Sequence, residues 1–169
     1  MKKLILATLL LSSFITWSQA GNTGTEMKTV AGKTLHMTQT PEGLLFDEYK
    51  GKILFVEFYG HRCPYCIKAI DDYNDLQEKY KNQLAIVSVE IGGYDQKQLA
   101  SFNDLYGIEY DNLTHKEAGE LVPYVSRIGG FRGMVPFLAV FDKNGKFYKS
   151  ASGAVTREAL ETIITDLSK

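Results

Sequence analysis

The sequence predicts an α/β fold in which helices flank a central mixed β-sheet, with a central α/β insertion and a short N-terminal hairpin. Three features of the 169 residues lead to this prediction. The run Ile53–Phe58 is apolar except at Glu57, which is typical of a strand covered on both faces. Apolar residues at three- and four-residue spacing follow it, and a second apolar run occupies 84–91. This order predicts a right-handed β-α-β unit.

The first 20 residues have the pattern of a secretory signal peptide. Lys2 and Lys3 precede the apolar segment Leu4–Trp17, and a small-x-small cleavage site ends at Ala20. The apolar segment is shorter than the roughly 20 residues of a membrane span. We therefore expect cleavage after Ala20 and a periplasmic protein, with an uncleaved N-terminal anchor as the alternative. Export would place the chain where disulfides persist.

A flexible lead-in is expected over 21–33, because this segment is polar, contains glycine and lacks periodicity. One folded domain is expected over 34–169. It begins with short apolar runs at 34–37 and 44–46, which flank the turn signal Thr40-Pro41-Glu42-Gly43. These runs predict the N-terminal hairpin.

A helix is predicted directly after the first buried strand. Its buried stripe consists of Ile67, Ile70, Tyr73, Gln77 and Tyr80. The spacing of these residues places them on one face of a helix.

The central insertion follows the second strand. A helix ending at Gly107 is predicted first, then a short strand over 108–113. Thr114 and Glu117 have the spacing of a capping box, so a further helix is expected there, which Pro123 should interrupt.

A β-hairpin and a terminal helix complete the predicted fold. Phe137–Phe141 and Lys146–Tyr148 are predicted strands joined through Asn144-Gly145, the favoured pair for a tight turn. An amphipathic helix is predicted from Thr156. Its expected buried residues are Ala159, Leu160, Ile163, Ile164 and Leu167.

Composition argues against several partners. A hydrophobic content of 44% and a net charge of -1 describe a soluble globular protein. Such a charge gives no broad attraction to nucleic acid or to anionic lipid. We therefore expect no nucleic-acid partner.

The chain has two cysteines, Cys63 and Cys66, in a C-x-x-C motif at a strand-to-helix junction. The first sulfur would lie over the unpaired amides of the helix's first turn, which favours a thiolate. A disulfide closed over two residues removes little entropy from the unfolded chain. Dithiol chemistry is thus favoured over a structural bridge or half of a zinc site, to which His61 could add one ligand.

The order of these elements resembles the thioredoxin-like superfamily. The matching features are the strand Phe55–Tyr59, the motif Cys63-Pro64-Tyr65-Cys66 and Val135-Pro136 before the hairpin. The 70 positions from Cys66 to Pro136 (136 − 66) resemble the extracytoplasmic TlpA/ResA group of thiol-disulfide reductases. The motif itself is closer to DsbA-like oxidases and glutaredoxins, and Arg62 stands where TlpA-like proteins usually have Trp.

The resemblance implies a role for each cysteine. Cys63 would attack, with its thiolate favoured by the adjacent positive charge of Arg62, and Cys66 would resolve the mixed disulfide. Glu57, a carboxylate inside an apolar strand, would have a raised pKa and take the proton from Cys66. The alternative for Glu57 is a strand-end carboxylate that faces water.

The residues around the motif are expected to bind the substrate. Pro136 resembles the cis-proline that faces the C-x-x-C, and the Val135 backbone would pair with the substrate segment. Pro64 suits the first position of a helix, and Tyr65 is expected to contact partner peptides.

The function expected from the resemblance is a periplasmic thiol:disulfide oxidoreductase, acting as a reductase. It would exchange the Cys63–Cys66 disulfide with exported proteins, as a monomer, without a dissociable cofactor or metal, and with a membrane electron donor or acceptor of the Dsb type. The alternatives are a DsbA-like oxidase or isomerase, a Sco-like copper protein using a histidine such as His61 or His115, and a non-catalytic interaction module.

Overall fold

The computed structural model describes residues 24–169 and confirms the predicted α/β fold. The strands are β1 (Thr25–Lys28), β2 (Thr34–Thr40), β3 (Gly43–Phe46), β4 (Ile53–Tyr59), β5 (Leu84–Glu90), β6 (Asp111–Thr114), β7 (Phe137–Phe141) and β8 (Phe147–Ser152). The helices are α1 (Pro64–Lys68), α2 (Ile70–Lys79), α3 (Gln96–Tyr106), α4 (His115–Ala118), α5 (Leu121–Gly129) and α6 (Arg157–Ser168).

The central sheet is mixed and has the order β6-β5-β4-β7-β8. β4 pairs in parallel with β5, and β5 in parallel with β6. β7 runs antiparallel to β4, and β8 antiparallel to β7. The C-terminal ends of β4 and β5 therefore meet the start of β7 at one edge of the sheet.

Alternate residues of β4 face two separate cores. Leu54, Val56 and Phe58 pack with the N-terminal strands and with α4 and α5. Ile53 and Phe55 pack on the opposite face with α2 and α6. All seven residues of β4 are buried, as predicted for a strand covered on both sides.

The segment before residue 34 departs from the predicted flexible lead-in. Thr25–Lys28 form β1, which pairs antiparallel with β2 and makes the predicted hairpin a three-stranded sheet. Met27 is buried in the first core. A single apolar residue in a four-residue strand gives no periodicity, so the strand depends on pairing that the local sequence does not reveal.

Three predictions about helices were wrong. Pro123 does not interrupt a helix, because it is the third residue of α5, where an amide hydrogen has no intrahelical acceptor. The helix after Cys63 is divided at Ala69 into α1 and α2. Ala159 is exposed, whereas Leu160, Ile163 and Ile164 of α6 are buried.

Several ends of elements follow from local chemistry that the sequence predicts. Gly107 ends α3 with a φ of 63°, and the Thr114 side chain accepts a hydrogen bond from the Glu117 amide at the start of α4. The Thr156 side chain caps α6 in the same way. Such caps satisfy amides that have no partner within the helix.

The predicted signal peptide, residues 1–20, lies outside the described residues. Within 24–169, no helix combines the length and the apolar character needed to cross a bilayer.

Candidate active site

The two cysteines lie at the junction of β4 and α1 and form a disulfide. Cys63 is the N-cap of α1, Pro64 is the first helical residue, and the two cysteine Cα atoms are 5.2 Å apart. The amide of Cys66 donates a hydrogen bond to Sγ of Cys63 at 3.2 Å. The same amide would stabilise a thiolate on Cys63, because a hydrogen bond to an ionised acceptor is stronger than one to a neutral acceptor.

The environments of the two sulfurs differ. Cys66 is buried in a small core that also contains Tyr59, Ile70 and Leu99. Cys63 is half-buried and borders an open cavity. An incoming sulfur can therefore reach Cys63 but not Cys66.

The cavity beside Cys63 has a volume of about 340 Å³. Its lining consists of Gly60, His61, Arg62, Cys63, Gly92 and Val135. Pairing of Phe58 with Phe137 brings the start of β7 to the end of β4, so Val135 lies against the same small core as the cysteines. The Val135–Pro136 peptide bond is cis. The structure therefore places the predicted residue Val135 beside Cys63, with Pro136 next in the chain.

The other predicted residues around the motif are exposed. Pro64 and Arg62 face solvent, and Tyr65 is 68% exposed. Met134, directly before Val135, is also an exposed apolar side chain at 65%. Met134 is not among the residues that the sequence predicts for the site, although its position next to Val135-Pro136 is a signal for it.

Glu57 is buried within β4, with 2% of its surface exposed, so it does not face water. Burial raises the pKa of Glu57 to about 8. Alternation along β4 places it on the face that carries Tyr59, which packs with Cys66. The structure thus provides a protonatable group on the buried side of the cysteine pair.

His61 and Glu90 form a buried pair that the sequence analysis did not predict. His61 Nδ1 lies 2.8 Å from Glu90 Oε1, and the imidazole stacks on Tyr94 with ring centroids 3.7 Å apart. Burial raises the pKa of Glu90, but the hydrogen bonds from His61 and from the Tyr94 and Gly92 amides outweigh it and hold the pKa below its ordinary value. The carboxylate is therefore ionised at neutral pH.

A signal for this pair was present in the sequence. Glu90 ends the second buried strand, and parallel strands that start together also end at the same edge. In the structure Tyr59 is in register with Glu90, which sets the His61 loop beside the residues after β5. A carboxylate followed by Gly92-Gly93 at that edge could have been matched with His61.

No cluster of three or more His, Cys, Asp or Glu side chains among residues 24–169 has the arrangement of a metal site. His61 uses Nδ1 to contact Glu90, and His115 lies in α4.

Comparison with known proteins gives relatives along the whole domain. No family model matches the chain. An uncharacterised protein of Haemophilus influenzae is 27% identical over 164 residues, which cover 95% of this chain and 96% of that protein. The thiol-disulfide oxidoreductase ResA of Bacillus thuringiensis is 30% identical over 118 residues, which cover 68% of this chain and 62% of ResA.

Solved structures share the fold. A thiol:disulfide interchange protein from Chlorobium tepidum superposes with a TM-score of 0.67 at 19% identity, covering 86% of this chain and 94% of that one. A secreted disulfide oxidoreductase of Mycobacterium tuberculosis superposes with a TM-score of 0.62 at 14% identity, covering 84% and 95%.

The chain therefore has the fold of thioredoxin-like proteins with a cysteine pair at its site, and it is similar in sequence to the ResA thiol-disulfide oxidoreductases. The aligned segment spans just under two thirds of the ResA chain.

Proposed function

We propose that this protein exchanges its Cys63–Cys66 disulfide with cysteines of other exported proteins, and that it acts as a reductase in the periplasm. The observation that carries the proposal is the unequal placement of the two sulfurs. Cys63 borders a cavity and accepts an amide hydrogen bond, whereas Cys66 is buried behind it. Attack by one sulfur and resolution by the other require such an arrangement.

The proposed reaction begins with the reduced protein. The Cys63 thiolate attacks a disulfide of the substrate, so a bond forms between Cys63 and one substrate sulfur, and the other substrate sulfur leaves as a thiolate and takes up a proton. Cys66 then attacks Cys63. The Cys63–Cys66 bond forms, the mixed disulfide breaks, and the second substrate sulfur leaves and is protonated.

Glu57 is proposed to accept the proton that Cys66 loses in the second step. A carboxylate with a pKa near 8 ionises close to neutral pH, where a general base is most effective. Its burial on the same side of β4 as Cys66 supports this role.

The substrate segment is proposed to lie along the start of β7. The Val135 backbone would pair with it as an added strand, with Pro136 and Pro64 bordering the contact. Tyr65 and Met134, both exposed, would supply apolar contacts on the two sides of Cys63. Arg62 would add positive charge beside the thiolate.

Export supports the choice of substrates. The N-terminal pattern of residues 1–20 favours secretion, and a protein of the same fold is described as secreted. A membrane donor of the Dsb type would return electrons to the Cys63–Cys66 pair. The protein would act as a monomer, because one copy supplies every residue of the proposed site.

A second candidate is an oxidase or isomerase, which one feature of the site favours. The Cys66 amide, which donates to Cys63 Sγ, would stabilise a thiolate there, and the adjacent charge of Arg62 would add to this effect. Stabilising the reduced form raises the reduction potential and makes a disulfide more oxidising. The direction of electron flow thus depends on how strong this stabilisation is.

Equilibration with glutathione, combined with insulin reduction, separates these candidates. A reductase is expected to have a midpoint potential at or below about −220 mV and to reduce insulin. A potential near about −120 mV without insulin reduction would replace the reductase by an oxidase. Cys63→Ser is the control, because it should abolish exchange with either reagent.

A further inference from the structure

The His61 side chain is fixed on two sides. Glu90 contacts its Nδ1 at 2.8 Å, and Tyr94 stacks on the ring with an interplanar angle of 10°. The His61 side chain is 9% exposed and the Glu90 side chain is 0% exposed. A buried imidazole held in this way has one orientation and one free nitrogen.

Glu90 is itself fixed by the chain that follows it. The amides of Gly92, Gly93 and Tyr94 donate to its carboxylate at 2.6, 3.0 and 2.9 Å. Because the carboxylate is an acceptor, the hydrogen of a neutral His61 must be on Nδ1. Nε2 is then a proton acceptor.

Nε2 has no hydrogen-bond partner among residues 24–169, although it is buried. A buried polar atom without a partner destabilises the folded protein, so the arrangement does not serve stability. His61 also lines the cavity that contains Cys63 and Val135. The unpartnered nitrogen thus belongs to a side chain at the place where sulfur chemistry would occur.

Gly92 leaves room for the pair. A Cβ at this position would lie 2.5 Å from Glu90 Oε1 and 2.7 Å from His61 Nδ1. The glycine therefore permits the backbone to wrap around the carboxylate while His61 remains in contact with it.

We propose that His61, oriented by Glu90, is a catalytic residue that moves the proton of Cys63 during exchange. This inference rests on the proposed function. Nε2 takes the proton from the Cys63 thiol, which leaves a thiolate and an imidazolium. After the thiolate has attacked the substrate disulfide, Nε2 gives that proton to the departing substrate sulfur. In this role the Cys63 thiol would be the nucleophile, the His61 imidazole the base, and the Glu90 carboxylate the group that orients the base.

Other ionisable groups surround His61 from several elements. Arg62 and Cys63 belong to its own loop, Glu90 ends β5, and Tyr94 follows it. Just before β7, the neighbour is the apolar Val135. Glu57 lies deeper along β4 and interacts with Tyr59, as Glu90 does. The variants used in the test must therefore leave these groups unchanged, so that a change in the profile can be assigned to the imidazole.

The test is the pH dependence of Cys63 alkylation by iodoacetamide in a Cys66→Ser background. His61→Gln is expected to slow alkylation by about tenfold at pH 6.5, which is a shift of one unit in the thiol pKa. Above pH 9 the two rates should converge, because the thiol then ionises without help. Gly92→Ala should change the profile in the same direction, and His115→Gln in α4 should leave it unchanged.

The inference is overturned if His61→Gln has the same profile as its parent, or if it slows alkylation equally at all pH values. A second measurement does not depend on a variant. The NMR signals of the His61 ring in the wild-type chain at pH 7 should move toward those of an imidazolium when the disulfide is reduced, and unchanged signals would also overturn the inference. If the wild-type protein exchanges with neither glutathione nor insulin, the proposed function fails; an active wild type with an unchanged His61→Gln profile removes only the role of His61.

Discussion

Glu57 is a carboxylate at a buried position of a central strand, where an apolar side chain is the usual residue. It is buried in the central strand β4, and its pKa rises from an ordinary 4.5 to about 8 because of desolvation. Between these values the folded chain keeps a proton that the unfolded chain has released. The unfolded state then binds fewer protons, so the free energy of unfolding falls as the pH rises through this window.

Glu57→Gln is expected to remove this dependence. The wild-type protein should lose up to about 5 kcal/mol of stability between pH 4.5 and 8 relative to the variant, following 1.36 kcal/mol per unit of pKa shift. Urea unfolding of both proteins at pH 5 and pH 8 measures the difference. Glu109→Gln, at an exposed position, is the matched control and should behave like the wild type. A difference between Glu57→Gln and wild type that stays constant with pH would contradict the account.

Gly43 joins the N-terminal sheet to the central sheet. It forms an isolated bridge with Lys146, and its carbonyl accepts a hydrogen bond from the Tyr124 hydroxyl at 2.5 Å. A Cβ on Gly43 would contact Gly145 O and lie 2.8 Å from the Phe147 amide nitrogen. The two sheets can approach this closely because no side chain separates them.

Gly43→Ala is therefore expected to destabilise the protein by about 2–4 kcal/mol, because backbone atoms of the β7–β8 turn must move. Gly129→Ala, in helix α5, is the control, because a Cβ at this position would lie at an ordinary contact distance of 3.5 Å from its nearest neighbours. Urea unfolding compares the two variants. Equal stabilities would show that the junction does not depend on the glycine.

Prediction of the elements succeeds where a pattern is long and local. β4 and β5 are each seven residues long and α6 is twelve, and each contains an apolar run or stripe; Thr156 and Gly107 mark ends that the structure confirms. β1 fails this condition, because its one buried side chain, Met27, has no periodic neighbour. Pro123 shows that a proline alone does not locate a break, since its effect depends on where the helix begins.

The local sequence is enough to place side by side residues that belong to one motif, but not residues that only the fold brings together. Cys63, Cys66 and Glu57 follow from one strand and the helix after it. His61 and Glu90 are 29 residues apart and meet only because β4 and β5 pair in parallel. Their hydrogen bond requires the register of two strands, which the sequence leaves undetermined.

At the scale of the whole molecule, the sheet topology assembles the site at one edge. The loop that follows β4 contains Cys63, and β5 ends at Glu90. The antiparallel β7 begins beside them, directly after Val135-Pro136. Exposed Tyr65 and Met134 lie next to this edge in sequence and leave it accessible to another chain. We therefore expect the protein's partners to be extended segments of other proteins.

Capture of such partners by the full chain with Cys66→Ser, exported from a bacterial host, tests the central claim most directly. Without the resolving sulfur, Cys63 should remain joined to exported proteins in complexes that a reductant dissolves. The variant with both Cys63→Ser and Cys66→Ser is the control and should form none. If Cys66→Ser yields no more reductant-sensitive complexes than this control, Cys63 does not exchange with exported proteins.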